Sequence, residues 1–159
     1  MAIELVREYF KKLGVDDKIQ EFDVSSATVD LAAEALNVKP QRIAKTLSFK
    51  TKDGDNCILI VTAGDAKIDN SKFKSKFSMK AKMLTPNEVD TFVGHSIGGV
   101  CPFAISSNIP VYLDESLKRF HTVFPACGSS NSAIELSCEE LFKYSNALEW
   151  IDVCKVISN

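Results

Sequence analysis

The chain has 159 residues, 45% of them hydrophobic and 25% charged, with a formal net charge of −2. These values suit a globular chain forming one domain with a substantial core, and the charge excludes a global polyanion-binding surface, leaving any nucleic-acid contact to a local patch. Five cysteines without a C-x-x-C pair, and only two histidines, argue against a zinc site or a disulfide framework.

Ile3, Val6, Phe10 and Leu13 recur at helical spacing, and Gly14 is a suitable stop. The same segment interleaves Glu4, Arg7, Glu8, Lys11 and Lys12, unlike an export signal, and no stretch approaches membrane-spanning length. Free thiols then point to the cytoplasm, with no membrane partner. Residues 18–22 read as a short strand. Residues 25–28 offer caps for a helix from Val29 to Leu36 that Asn37 ends. Pro40 opens a short helix to Ala44, and 45–49 continue as a strand. The turn at 52–55 leads into 57–61, an apolar run typical of a central strand buried on both faces. Residues 67–82 carry Lys67, Lys72, Lys74, Lys76, Lys80 and Lys82 against Asp69, with Phe73 and Phe77 spaced to anchor a helix.

Thr85-Pro86-Asn87-Glu88 is a capping-box helix start, and Gly94 closes that helix. Strands are expected at 110–113, 121–124 and 133–136, with a helical turn after Asp114, a turn at 128–131 and a capped helix from Ser137 to Tyr144. Hairpins and helices interleave without regular βαβ alternation, so the fold class is α+β, a single domain over 1–159 with a mixed sheet surrounded by helices.

Three features carry chemistry. The loop from Gly94 to Phe103 contains Gly98-Gly99, which permits positive φ and close backbone approach, and Pro102, which stiffens its exit. Ile97, Val100 and Phe103 would anchor it in the core; an ordinary turn is the competing reading. Cys101, six residues after His95, raises the question of a cysteine hydrolase, although neither a depressed thiol pKa nor a base in reach is visible in sequence. Lys45 stands where a short helix gives way to an apolar strand, a position that can project from the mouth of a sheet.

Three strings, Ile43-Ala44-Lys45-Thr46-Leu47, Gly94-x-x-x-Gly98-Gly99-Val100-Cys101-Pro102-Phe103 and Ile134 to Leu141, resemble successive signatures of the YbaK family, free-standing relatives of the editing domain of bacterial prolyl-tRNA synthetase. The similarity spans roughly residues 25–145. It implies that family's barrel-like fold and an aminoacyl-tRNA deacylase acting on mischarged tRNA, most often tRNA(Pro), without metal or organic cofactor. Prolyl-tRNA synthetase is a further implied partner, and DNA is not. The resemblance assigns catalysis to Lys45, Gly98 and Gly99, and substrate contact to Thr46, Ile97, Val100, Cys101, Pro102 and Ala133. Lys72, Lys74 and Lys76 are candidates for the tRNA backbone. A non-catalytic binding module of the same fold is the alternative. Branches that remove cysteine commonly carry aspartate where this chain has Ala133, serine is frequent at the Cys101 position, and the turn at 128–131 replaces a basic Gly-Arg-Arg type. With Ala133 there, the pocket should favour small aminoacyl groups over charged or strongly polar ones, with Pro102 and Ile97 as candidate walls against proline.

Overall fold

The computed structural model of the protein describes residues 2–95 and 98–157. Its first part comprises helix α1 (Ala2–Lys12), strand β1 (Gln20–Glu21), helix α2 (Val29–Leu36), strands β2 (Ile43–Lys50), β3 (Cys57–Ala63) and β4 (Ala66–Ile68), and helices α3 (Asn70–Phe77) and α4 (Pro86–Val93). Strands β5 (Val111–Asp114), β6 (Thr122–Pro125), β7 (Ser132–Ala133) and β8 (Leu136–Ser137), helix α5 (Cys138–Tyr144), and strands β9 (Glu149–Ile151) and β10 (Cys154–Val156) follow.

Six strands form a curled, half-barrel sheet in the order β8-β6-β2-β3-β5-β9. All seven residues of β3 are buried, which explains an apolar run without alternation. The β2–β3 pair is an antiparallel hairpin, whereas β3 and β5 run parallel. Parallel neighbours need a long crossover, and here it supplies β4, α3, α4 and the glycine loop. The site loop is thus a by-product of the sheet's topology. The α+β, barrel-like expectation holds, with five helices around the sheet.

The helix ends follow local chemistry. Thr28 accepts from Leu31 N at α2, whose C-cap Asn37 is left-handed at φ 57°. Both expected capping boxes form, Thr85 with Glu88 at α4 and Ser137 with Glu140 at α5. Phe10 of α1 packs on Phe103 with ring centroids 4.8 Å apart, and Phe73 of α3 lies 5.0 Å from Phe49 of β2. Each such buried ring contributes about 1.5–3 kcal/mol, which fixes α1 and α3 to the sheet. Asp114 is buried, its Oδ2 accepting from Ser116 N and its Oδ1 from Val153 N, both at 2.9 Å. That carboxylate ties the end of β5 to the β9–β10 turn.

Several expectations need correction. The strand at 133–136 is two short pieces with different partners, β7 beside β1 and β8 beside β6. The lysine-rich helix stops at Phe77, because Ser78 takes a left-handed conformation at φ 56°. Strands β4, β9 and β10 carried no sequence expectation; each has only three residues. Among the described residues, no helix is long and apolar enough to cross a membrane.

Candidate active site

Strand β2 has two different neighbours on the edge away from β3. β6 pairs with it only at Ile43 and Ala44. The segment before α4 pairs further on, with Phe49 opposite Met83, Leu84 N donating to Ser48 O at 3.1 Å and Lys50 N donating to Lys82 O at 2.8 Å. Between them, the edge at residues 45–47 has no paired strand among the described residues. A cavity of about 240 Å³ opens there. Its floor is β2, and its walls include Ser26 to Val29, Gly98, Val100, Phe124, Ser132 and Ala133.

Two residues lining this cavity stand out. Thr46 Oγ1 has no hydrogen-bond partner among the described residues and almost no accessible surface, so other atoms of Thr46 form the wall. Lys45 is partly buried and makes no ion pair among the described residues. Burial lowers its pKa, opposed by Cys154 and Asp65. Burial also raises the pKa of the Cys154 thiol and keeps it neutral, so the opposing charge is Asp65. Asp65 is itself held by Arg119, whose Nη1 and Nη2 lie 3.0 and 2.5 Å from its two oxygens. That hydrogen bonding holds the Asp65 carboxyl below its usual range.

The opposite wall presents an acceptor. Asn131 Nδ2 donates to Phe22 O at 3.0 Å, which fixes the amide and turns Oδ1 toward Ser129 Oγ at 2.9 Å. Ser129 uses its single proton there, so Ser132, at 2.6 Å, donates to Ser129. The Ser132 oxygen therefore has only lone pairs left for the cavity.

The glycine loop is clamped from behind. Gly98 has φ +91°, and a Cβ there would lie 3.1 Å from Ala27 Cβ. A Cβ on Gly99 would lie 2.7 Å from Ser129 N. Close backbone approach thus accounts for both glycines.

Of the residues expected at the site, Lys45, Thr46, Gly98, Val100 and Ala133 line the cavity together. Ile97 lies outside the described residues. Gly99 does not line the cavity and acts as the loop's contact with Ser129. Cys101 and Pro102, also expected to contact substrate, are buried and do not line this cavity. The cysteine-hydrolase alternative fails on chemistry as well. His95 Nε2 lies 2.9 Å from the Phe103 carbonyl, which can only accept, so that nitrogen carries a proton and offers no base to the Cys101 sulfur 3.5 Å away. Burial pushes the Cys101 pKa up to about 12 and lowers that of His95. Both are neutral core residues. Sequence reasoning missed Ser132, Ser26 and Thr28; their short polar strings look like ordinary turns, and only the fold brings them to β2.

The lysines divide as well. Lys72 Nζ lies 3.0 Å from Asp152 and Lys76 Nζ 2.6 Å from Glu149, so both form exposed ion pairs with the segment around β9. Lys74 has no such partner among the described residues. Of the three lysines expected to meet the tRNA backbone, Lys72 and Lys76 are thus ion-paired and Lys74 is not.

Similarity to known proteins agrees with this geometry. The sequence profile of the family described as "Aminoacyl-tRNA editing domain" matches residues 24–144. The chain belongs to the aminoacyl-tRNA editing domain family. The editing domain is 56% identical, over 98% of each chain, to the uncharacterized protein YwhH of Bacillus subtilis. It is 26% identical over 75% of its length to the "Putative Cys-tRNA(Pro)/Cys-tRNA(Cys) deacylase EbsC" of Enterococcus faecalis, 73% of which is covered. Among solved structures, one described as "a putative trans-editing enzyme for prolyl tRNA synthetase" superposes with a TM-score of 0.85 at 26% identity, covering 97% of each chain. All the lining residues from Ser26 to Ala133 fall within the matched span.

Proposed function

We propose that this protein is a cytoplasmic trans-editing deacylase that hydrolyses the ester of mischarged tRNA, most often tRNA(Pro) carrying a small non-cognate amino acid. The observation that carries the reading is one small cavity on the open edge of β2, lined by Lys45 and Thr46 and by Gly98 and Val100 of the glycine loop. At about 240 Å³ the cavity falls below the roughly 300–1,000 Å³ of pockets for drug-sized ligands, which favours a small aminoacyl group. Lone pairs on Ser132 suit the substrate's α-ammonium, and the Lys45 charge suits the terminal ribose or phosphate. An aminoacyl ester is already electrophilic. Water adds to the carbonyl and gives up a proton, the acyl C–O bond breaks, the tRNA oxygen takes up a proton to regenerate its hydroxyl, and the amino acid leaves as the free acid. Backbone donors of the glycine loop stabilise the oxyanion, so positioning and electrostatics replace a protein nucleophile.

Small apolar walls make selectivity a matter of size, worth about 1–3 kcal/mol per methylene. Among the described residues that line the cavity, Val29, Val100 and Phe124 supply the bulk that would exclude the proline ring. The test is side-by-side deacylation of Ala-, Ser-, 2-aminobutyryl-, Cys- and Pro-tRNA(Pro). Cleavage of a small mischarged species with Pro-tRNA(Pro) spared is expected. Equal cleavage of Pro-tRNA(Pro) would defeat the proofreading assignment, and no cleavage of any would favour the non-catalytic binding module.

A further inference from the structure

Resting on the deacylase reading for its ligand, we propose that Lys74, Lys80 and Lys82, extended by Lys52 at the β2–β3 turn, form a cationic track that carries the phosphodiester backbone of the tRNA acceptor arm to the cavity mouth. Three observations combine. Lys52, Lys74, Lys80 and Lys82 are all exposed, and none has an ion pair among the described residues, whereas Lys72, Lys76 and Lys50 are matched by Asp152, Glu149 and Glu88. A matched pair is nearly neutral at a distance and releases few counterions, so the unmatched lysines carry the long-range attraction.

The second observation is continuity. Lys74 and Lys80 line one shallow surface depression that no carboxylate lines. Lys80 is shared with the next depression, lined also by Lys52 and Lys82. Asp53 is the one carboxylate there, and its Oδ1 is engaged by Thr51 Oγ1 at 2.6 Å and Asp55 N at 3.0 Å. Third, the track ends at the site. Lys82 O accepts from Lys50 N on β2, and the following residue, Met83, is both 56% exposed and part of the cavity wall. An exposed thioether at a cavity mouth offers a polarizable face to a terminal base, while the charges behind it hold the backbone.

The test compares two variants that lose the same charge: Lys74→Gln/Lys80→Gln/Lys82→Gln, and a control that removes ion-paired lysines, Lys72→Gln/Lys76→Gln/Lys118→Gln. Binding of uncharged tRNA is measured by fluorescence anisotropy from 50 to 300 mM salt, roughly the range in which such contacts dominate, with thermal melting as a folding check. The track variant should lose about 2 units of the log–log salt slope, and the control less than half as much. An unchanged slope in the track variant, an equal or larger loss in the control, or no tRNA binding by the wild-type protein overturns the track. Deacylation by the wild-type protein reports separately on the activity. A track effect without wild-type cleavage would leave the surface standing and remove the enzyme.

Discussion

Replacing Gly99 with alanine tests whether the glycine loop is held in place by its contact with the 128–131 turn. The added Cβ would sit 2.7 Å from Ser129 N and 2.8 Å from Ser129 C and Cα, all backbone atoms. Restoring an ordinary contact of 3.4 Å requires one segment to move by about 0.7 Å. The turn cannot retreat. Ser129 is tied to Asn131 and Ser132, Ser26 N donates to Ser130 O at 2.6 Å, and a Cβ on Gly128 would already lie 3.1 Å from the Ala2 backbone. The loop must therefore shift, carrying Gly98 and Val100 with it. Overpacking of this kind costs about 1–3 kcal/mol. If a 1 Å misplacement lowers turnover about 100-fold, a 0.7 Å shift lowers kcat/KM roughly 25-fold. The control is Gly14→Ala, an exposed glycine with φ +76° and no neighbour within 4 Å. It should cost about 1–2 kcal/mol and leave kcat/KM unchanged. Urea unfolding and deacylation of both variants decide the matter. Wild-type kcat/KM and stability for Gly99→Ala would refute the clamp.

Further outcomes follow from the same geometry. Lys45→Ala should lower deacylation by at least about 100-fold while the protein stays folded, and Lys45→Arg should also be impaired, because a planar guanidinium does not replace a compact ammonium. Asp65→Asn removes the carboxylate that supports the Lys45 charge against burial, so the Lys45 pKa falls further and the alkaline limb of kcat/KM moves to lower pH; an unmoved limb would exclude Lys45 as the titrating group. Cys101→Ala should keep activity within a few-fold and lose roughly 1 kcal/mol of stability, and loss of turnover would reinstate the thiol mechanism. Glu88, paired with Lys50 at 2.6 Å, has its pKa lowered from 4.5 to about 2. Its folded pKa is depressed, so its contribution is present above pH 4.5 and is lost as pH falls toward 2. In Glu88→Gln the unfolding midpoint should vary less over that window than in the wild-type protein.

What the sequence made legible was local. Thr28, Thr85 with Glu88 and Ser137 with Glu140 act within one helical turn, so their caps can be read from spacing, and the burial of β3 follows from an uninterrupted apolar run. The partners of Lys72 and Lys76 could not be read the same way, since Asp152 and Glu149 stand more than 70 residues away, beside three-residue strands too short to show a period. At the site, motif order located Lys45, Thr46 and Gly98, yet motif membership does not distinguish a residue facing the cavity from one supporting it. Cys101 and Pro102 share a loop with Gly98 and Val100 but turn into the core, and only packing separates the two pairs. Ser132 became a lone-pair donor wall through an amide fixed by Phe22, 109 positions from Asn131 in sequence.

The unpaired edge of β2 has a consequence for the protein's behaviour at high concentration. A strand edge with free amides and carbonyls is a template on which another chain can add, and long flat edges of that kind drive aggregation. Here the opening covers only residues 45–47, bounded by β6 on one side and the 82–84 segment on the other. Three residues are too few to hold an incoming strand, and the partly buried Lys45 places a charge on the first of them. The gap can hydrogen-bond a small ligand while denying a foothold to a second copy of the sheet.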